Sequence, residues 1–216
     1  MSDAFAARAA QWDAHPVRAA IGQAFYAQVL EATASHLAGA LEGKTVLDFG
    51  CGTGTLGLRL AQEHAARVIF ADASPAMLDV LRGKLAGLNL PDVKVFEGGA
   101  DALPLADASA DLAVSLMALH HIEDAEGALR GLRKALKPGG LLLLGDLLPE
   151  DGSFHDSSPD GPSAAHNGFD PEALRALCEN LGLAVLRLLP FHLVRKPDAA
   201  GAVREYPLFF LTAKAV

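Results

Sequence analysis

The stretch Val46-Leu47-Asp48-Phe49-Gly50-Cys51-Gly52-Thr53-Gly54-Thr55-Leu56-Gly57 constrains the fold more than any other part of the chain. A short apolar run ends at an acid, breaks into alternating glycines, and passes into a helical pattern at Leu56, Leu58, Leu60 and Ala61. That order reads as strand, tight turn, helix. Gly50, Gly52 and Gly54 let the main chain turn without Cβ clashes and leave room for a ligand against it. The helix start beyond them offers free N–H groups and the positive end of the helix dipole, which favour a carboxylate or a phosphate. Asp48 supplies the opposite charge, so a ligand carrying both an ammonium and a carboxylate suits this pair.

Two spacings coexist in the turn. Gly52-x-Gly54-x-x-Gly57 fits a dinucleotide fingerprint, in which a pyrophosphate sits at the helix start. Asp48-x-Gly50-x-Gly52-x-Gly54 fits an acidic-x-Gly-x-Gly-x-Gly signature, and on it the chain resembles the class I S-adenosylmethionine (SAM) methyltransferases. An acid at the strand end sits badly beside a pyrophosphate, which favours the second reading. Three functions stay open: methyl transfer to a small molecule, SAM binding without methyl transfer, and an NAD-linked oxidoreductase on a similar nucleotide fold.

At 216 residues the chain is long enough for one domain with a large core. No apolar run approaches the roughly 20 residues that span a bilayer, and the first residues lack the pattern of a signal peptide, so no membrane association and a cytoplasmic location are expected. Two cysteines, Cys51 and Cys178, are too few for a disulfide framework or a thiolate zinc site. A net charge of −8 without an offsetting Lys/Arg cluster disfavours nucleic acid as a partner. The oligomeric state is not legible.

Along the chain, residues 4–41 read as a helical cap interrupted at Pro16, with Trp12 and Tyr26 either packing in the core or belonging to a lid over the site. Arg67 to Asp72 and Val93 to Glu97 read as the second and third strands, with Ser74-Pro75 starting a helix between them. An acid at the carboxyl end of the second strand, Asp72, suits the hydroxyls of a ribose. Residues 112–117 read as the fourth strand, followed by Ala118-Leu119-His120-His121-Ile122. Asp124 starts a helix that Lys137-Pro138-Gly139-Gly140 ends before a buried strand at 141–144. Residues 149–170 turn polar and Gly/Pro-rich, a length that in a compact domain signals a functional loop. Its His155 and His166 are candidates for site contacts, without the ligand spacing that would argue for a metal. Asp170-Pro171 starts a last helix, and residues 185–189 and 207–215 read as two strands joined by a charged connection at 195–205.

The run from Leu103 to Ile122 resembles the Leu-Pro … Leu-His-His-Ile pattern of small-molecule methyltransferases, and Lys137-Pro138-Gly139-Gly140 is similar to another segment of that family. Trp12-Asp13 resembles a dipeptide near the start of the ubiquinone and menaquinone biosynthesis branch. The resemblance covers residues 44–216 and implies a Rossmann-like, doubly wound α/β sheet of seven strands, order 3-2-1-4-5-7-6 with strand 7 antiparallel. It divides a single domain into a cap at 1–42 and a core at 43–216, with 149–170 as a lid.

The resemblance also assigns roles. Gly50, Gly52 and the helix start hold the methionine end of SAM, Asp48 balances its ammonium, Asp72 holds the ribose, and Ala100 and Asp101 meet the adenine edge. Phe49, Cys51, Ala73, Met77, Gly99 and Leu116 complete the cofactor-binding set. Gly99 stands where the family usually has an Asp, and Asp101 is the candidate replacement. Trp12, Met117 and His166 line the acceptor. His121 and then His120 are the candidate general bases, since imidazole titrates near neutrality. No Asn/Asp-Pro-Pro-Tyr, Pro-Cys or catechol-type acidic pattern follows the fourth strand, so a metal-independent, in-line transfer to a small molecule is expected.

Overall fold

Seven strands form one sheet in the order β3-β2-β1-β4-β5-β7-β6. The computed structural model describes residues 3, 5–64, 66–90, 92–99, 106–155, 164–197 and 201–216. The strands are β1 (Thr45–Phe49), β2 (Arg67–Asp72), β3 (Val93–Glu97), β4 (Ala110–Leu116), β5 (Leu136–Leu147), β6 (Leu183–Pro197) and β7 (Val203–Ala215). β1 to β5 pair in parallel, and β7 runs antiparallel to both β5 and β6. This is the order and the single reversed strand that the resemblance implies.

The central strands are apolar on both sides because helices cover both faces. Alternate residues of β5 divide accordingly. Leu142 and Leu144 join Leu129, Leu132, Leu174 and Cys178 on one face, from α4 (Ala125–Ala135) and α5 (Pro171–Asn180). Leu141 and Leu143 join Phe25, Val29, Leu60 and Leu81 on the other, from α1 (Pro16–His36), α2 (Thr55–His64) and α3 (Pro75–Leu85). The chain winds outward from β1 to β3 and then returns to β4, so the carboxyl ends of β1 and β4 open a crevice at the point of reversal. Among the described residues no helix is long and apolar enough to cross a membrane.

The helix starts follow the sequence. Ser74 Oγ accepts from the Met77 N–H at 3.2 Å, Asp124 Oδ1 from Gly127 at 2.8 Å, and Asp170 Oδ1 from Ala173 at 2.9 Å. Each such cap contributes about 0.5–2 kcal/mol.

Three boundaries differ from the sequence reading. The cap is a 3-10 helix, Ala6–Ala14, followed by α1, and Pro16 opens α1 where its missing N–H costs nothing. Helix α4 passes directly into β5: Leu136 pairs with Ala110 and Leu141 with Leu112, so residues 137–140 bulge between two ladder pairs. The bulge is fastened by Lys137 Nζ on Asp111 at 2.7 Å. Finally, the charged 195–205 connection is mostly ladder, with Arg195 opposite Glu205 and ion-paired to it at 2.8 Å. Cross-strand charge pairing outweighs the local loop signal there, and Pro190 is tolerated beside a register shift.

Candidate active site

The glycine turn sits at the carboxyl end of β1, and Gly50 is required in it. Its φ is +64°, and a Cβ there would stand 2.3 Å from the Ala118 Cβ that follows β4. The N–H groups of Gly50 and Cys51 both donate to the Ala71 carbonyl, tying the turn to β2. Asp48 is 3% exposed and its Oδ2 accepts from the Gly57 N–H at 2.9 Å, so it braces the first turn of α2. The sequence reading assigns Asp48 to a ligand and misses this second duty.

Asp72 is similarly engaged. Its Oδ2 accepts from Gly52 N–H at 2.7 Å and its Oδ1 from Ser74 N–H at 2.8 Å, so it links the glycine turn to the start of α3. Burial pushes the Asp48 carboxyl up to about 7, against the Gly57 bond and with the Asp72 charge adding to the rise. Burial likewise raises Asp72, with Asp3 adding. Among the described residues neither carboxylate has a basic partner within ion-pair distance. A buried anion without a counter-ion is expensive, so this corner of the fold is complementary to a cationic ligand.

The other expected cofactor contacts divide. Cys51 lies half-buried in the turn, its thiol pushed well above the usual range by burial and by Asp48 and Asp72. Met77 is buried, its Sδ 4.0 Å from where a Gly52 Cβ would be. Ala73 is exposed at the end of β2 and Leu116 half-buried at the end of β4. Gly99 follows Gly98, whose N–H donates to the Asp72 carbonyl at 2.9 Å. Phe49 is 3% exposed and belongs to the core against α4. Ala100 and Asp101 lie outside the described residues.

The 3-10 segment lies across the turn. Trp12 Nε1 comes within 3.7 Å of the Gly52 Cβ position, and Arg18 stacks over the indole at 3.8 Å. Asp13 accepts from the Thr53 and Thr55 hydroxyls at 2.6 and 3.0 Å and pairs with Lys84. Phe5 bridges onward, edge-on to Trp12 at 5.8 Å and to His121 at 5.4 Å between ring centroids.

Beyond Phe5 is a chamber of histidines. Met117 leaves β4 with φ +53°, a strained value for a side chain of its size. Its N–H is held by the Gly145 carbonyl at 2.7 Å. The turn delivers His120 to Asp146 at the end of β5. His120 Nδ1 lies 2.6 Å from Asp146 Oδ1, and the His120 backbone N–H donates to Oδ2 at 3.2 Å. Both residues are 1% exposed, and His120 Nε2 is buried with no hydrogen-bond partner among the described residues. His121 packs on His120 with centroids 4.1 Å apart, and His155 lies 5.3 Å from one ring and 5.1 Å from the other. Burial, then the neighbouring histidines and Lys196, push His155 down to about 4. Phe154 and Tyr206 close one side, edge to face at 5.2 Å.

His166 lies beside the histidine segment. Its Nε2 is bonded to the Ile122 carbonyl at 2.9 Å and its ring packs on Phe169. The N–H groups of Ala165 and His166 both donate to the His120 carbonyl, so this part of the 149–170 loop fastens the histidine segment. One residue that sequence reasoning missed matters here: Asp146, signalled by an acid inside the apolar run Leu141 to Leu148. His155, a candidate for site contacts on sequence, stands in the chamber beside His120 and His121.

Residues 46–140 match the protein-family model of a methyltransferase domain. The chain is 31% identical over 156 residues to an uncharacterized methyltransferase of Schizosaccharomyces pombe, covering 66% of this chain and 54% of that one. It is 37% identical over 109 residues to the ubiquinone/menaquinone biosynthesis C-methyltransferase UbiE of Klebsiella pneumoniae, covering 49% and 43% respectively. The chain thus spans about half the length of the curated relatives it matches. The crystal structure of a SAM-dependent methyltransferase from Aquifex aeolicus superposes with a TM-score of 0.70 over 100% of both chains at 21% identity.

Proposed function

We propose that this chain, whose residues 46–140 match a methyltransferase domain, belongs to the class I SAM-dependent methyltransferases and transfers the SAM methyl group to an O, N, S or C atom of a small molecule. The observation that carries the reading is the pair of carboxylates, buried Asp48 and half-buried Asp72, flanking the glycine turn without a cationic partner among the described residues. SAM fits that charge, because it brings an ammonium and a sulfonium together with a carboxylate for the helix start. When bound, it supplies a methyl group already activated for displacement.

The chain's own residues then have three tasks. Gly50, Gly52 and the first turn of α2 receive the methionine end, and Asp72 the ribose. Trp12 and Phe5 cover the turn and keep water out, as Met117 does on the acceptor side. The acceptor must be held in line and roughly 3 Å from the methyl carbon. Where the acceptor atom carries a proton, His120 is the better base of the pair, because Asp146 fixes its Nδ1 and leaves Nε2 to receive that proton. His121, the first choice on sequence alone, stands beside it against Phe5.

Incubation with methyl-labelled SAM and a panel of phenols, quinols, amines and thiols tests the reading. Label is expected in at least one acceptor, with kcat lowered about 10²–10⁴-fold in Asp146→Asn, the range for a disabled proton transfer. Tight SAM binding with no labelled product across the panel would instead favour a SAM-binding protein without transferase activity.

A further inference from the structure

Proton transfer employs one imidazole of the chamber and leaves His155 without a task. We propose that His120, His121 and His155 form a site for a divalent transition metal of the zinc type, with Asp146 orienting His120 as a ligand. One ring nitrogen from each residue lies within 4.8 Å of the other two. A tetrahedral ion about 2.1 Å from each nitrogen would set them about 3.4 Å apart, so small ring rotations complete the set. Three imidazoles with a fourth position open is a recurring catalytic arrangement for such ions.

Two further observations point to a ligand here. His120 Nε2 and His155 Nε2 are both buried without a hydrogen-bond partner among the described residues, and His120 is 1% exposed. With its Nδ1–H on Asp146, a neutral His120 turns a bare lone pair at Nε2 toward the chamber; such an orphan is costly unless something occupies it. The His120–Asp146 contact of 2.6 Å is also the carboxylate–histidine pairing that fixes the tautomer and ring orientation of metal-binding imidazoles.

Metal binding at this site does not depend on the methyltransferase reading. If both hold, the open position would take an oxygen, nitrogen or sulfur atom of the acceptor; the ion would lower that atom's proton affinity so that its proton passes to water, and His120 would serve as a ligand instead of as the base.

The test is a titration of untagged, chelator-dialysed protein with Co²⁺, followed by its visible absorption. One equivalent is expected to give the intense bands of a four- or five-coordinate ion, displaced by one equivalent of Zn²⁺. Asp146→Asn is expected to weaken affinity about 10–100-fold, His155→Ala or His155→Gln to abolish the bands, and His192→Ala, outside the trio, to leave them intact. Absence of bands in the wild type overturns the proposal, as does their persistence in a folded His155 variant. S-adenosylhomocysteine binding measured on the same samples separates the two readings: its loss with Co²⁺ binding intact would count against the transferase alone.

Discussion

Asp48 carries an unusual load for a carboxylate, since it is 3% exposed, braces Gly57 at 2.9 Å and feels the charge of Asp72. Its native value of about 7 lies above the ordinary 3.8, so between those values the folded protein keeps a proton that the unfolded chain has lost. Stability from this group is therefore full below about pH 4, declines as pH rises toward 7 and is level above. Asp48→Asn keeps an acceptor for Gly57 and removes the titration. Between pH 8 and pH 5 the wild type should gain roughly 2–3 kcal/mol of unfolding free energy relative to that variant, measured by denaturant unfolding. A constant difference would mean that Asp48 is not held in this way. At this scale the sequence announced the glycines and both acids by spacing. The histidine chamber was illegible because residues 120, 146 and 155 come together only through the turn at Met117 and the return of the loop after β5, which no local pattern encodes.

Among the elements, the N-terminal segment is the one whose role the sequence left open. Within Ala6–Ala14 only Ala9 is buried, whereas α1 contributes Phe25, Tyr26 and Val29 to the core. The segment's contacts are with the site instead: Trp12 over Gly52, Asp13 on Thr53 and Thr55, and Phe5 on His121. That distribution fits a lid. Deleting residues 1–15 should leave the thermal midpoint within a few degrees and speed S-adenosylhomocysteine dissociation at least about tenfold, equivalent to some 1.4 kcal/mol of lost cover; stopped-flow displacement measures it. An unchanged dissociation rate would make the segment packing only. Strands and capped helices were legible because their signals are local. The 137–140 bulge and the long β6–β7 ladder were not, because cross-strand pairing overrode Gly, Pro and charge signals that usually mark loops.

Across the whole molecule, the strand order followed from resemblance more than from periodicity, which cannot order strands within a sheet. The order explains why the site is where it is. Parallel strands put β1, β2 and β4 with their carboxyl ends together, the reversal between β1 and β4 opens the crevice, and β5 adds Asp146 at the same edge. The antiparallel β7, between β5 and β6, brings Tyr206 to the chamber wall. A plain dinucleotide fold would place a pyrophosphate at the glycine turn, whereas here two uncompensated carboxylates stand beside it. The direct test of this account is a calorimetric titration of the purified protein with S-adenosylhomocysteine, SAM and NAD in parallel. Micromolar binding of the first two, with none of NAD, is the predicted result. Binding of NAD alone would contradict the charge argument at Asp48 and Asp72, and with it the assignment of the turn.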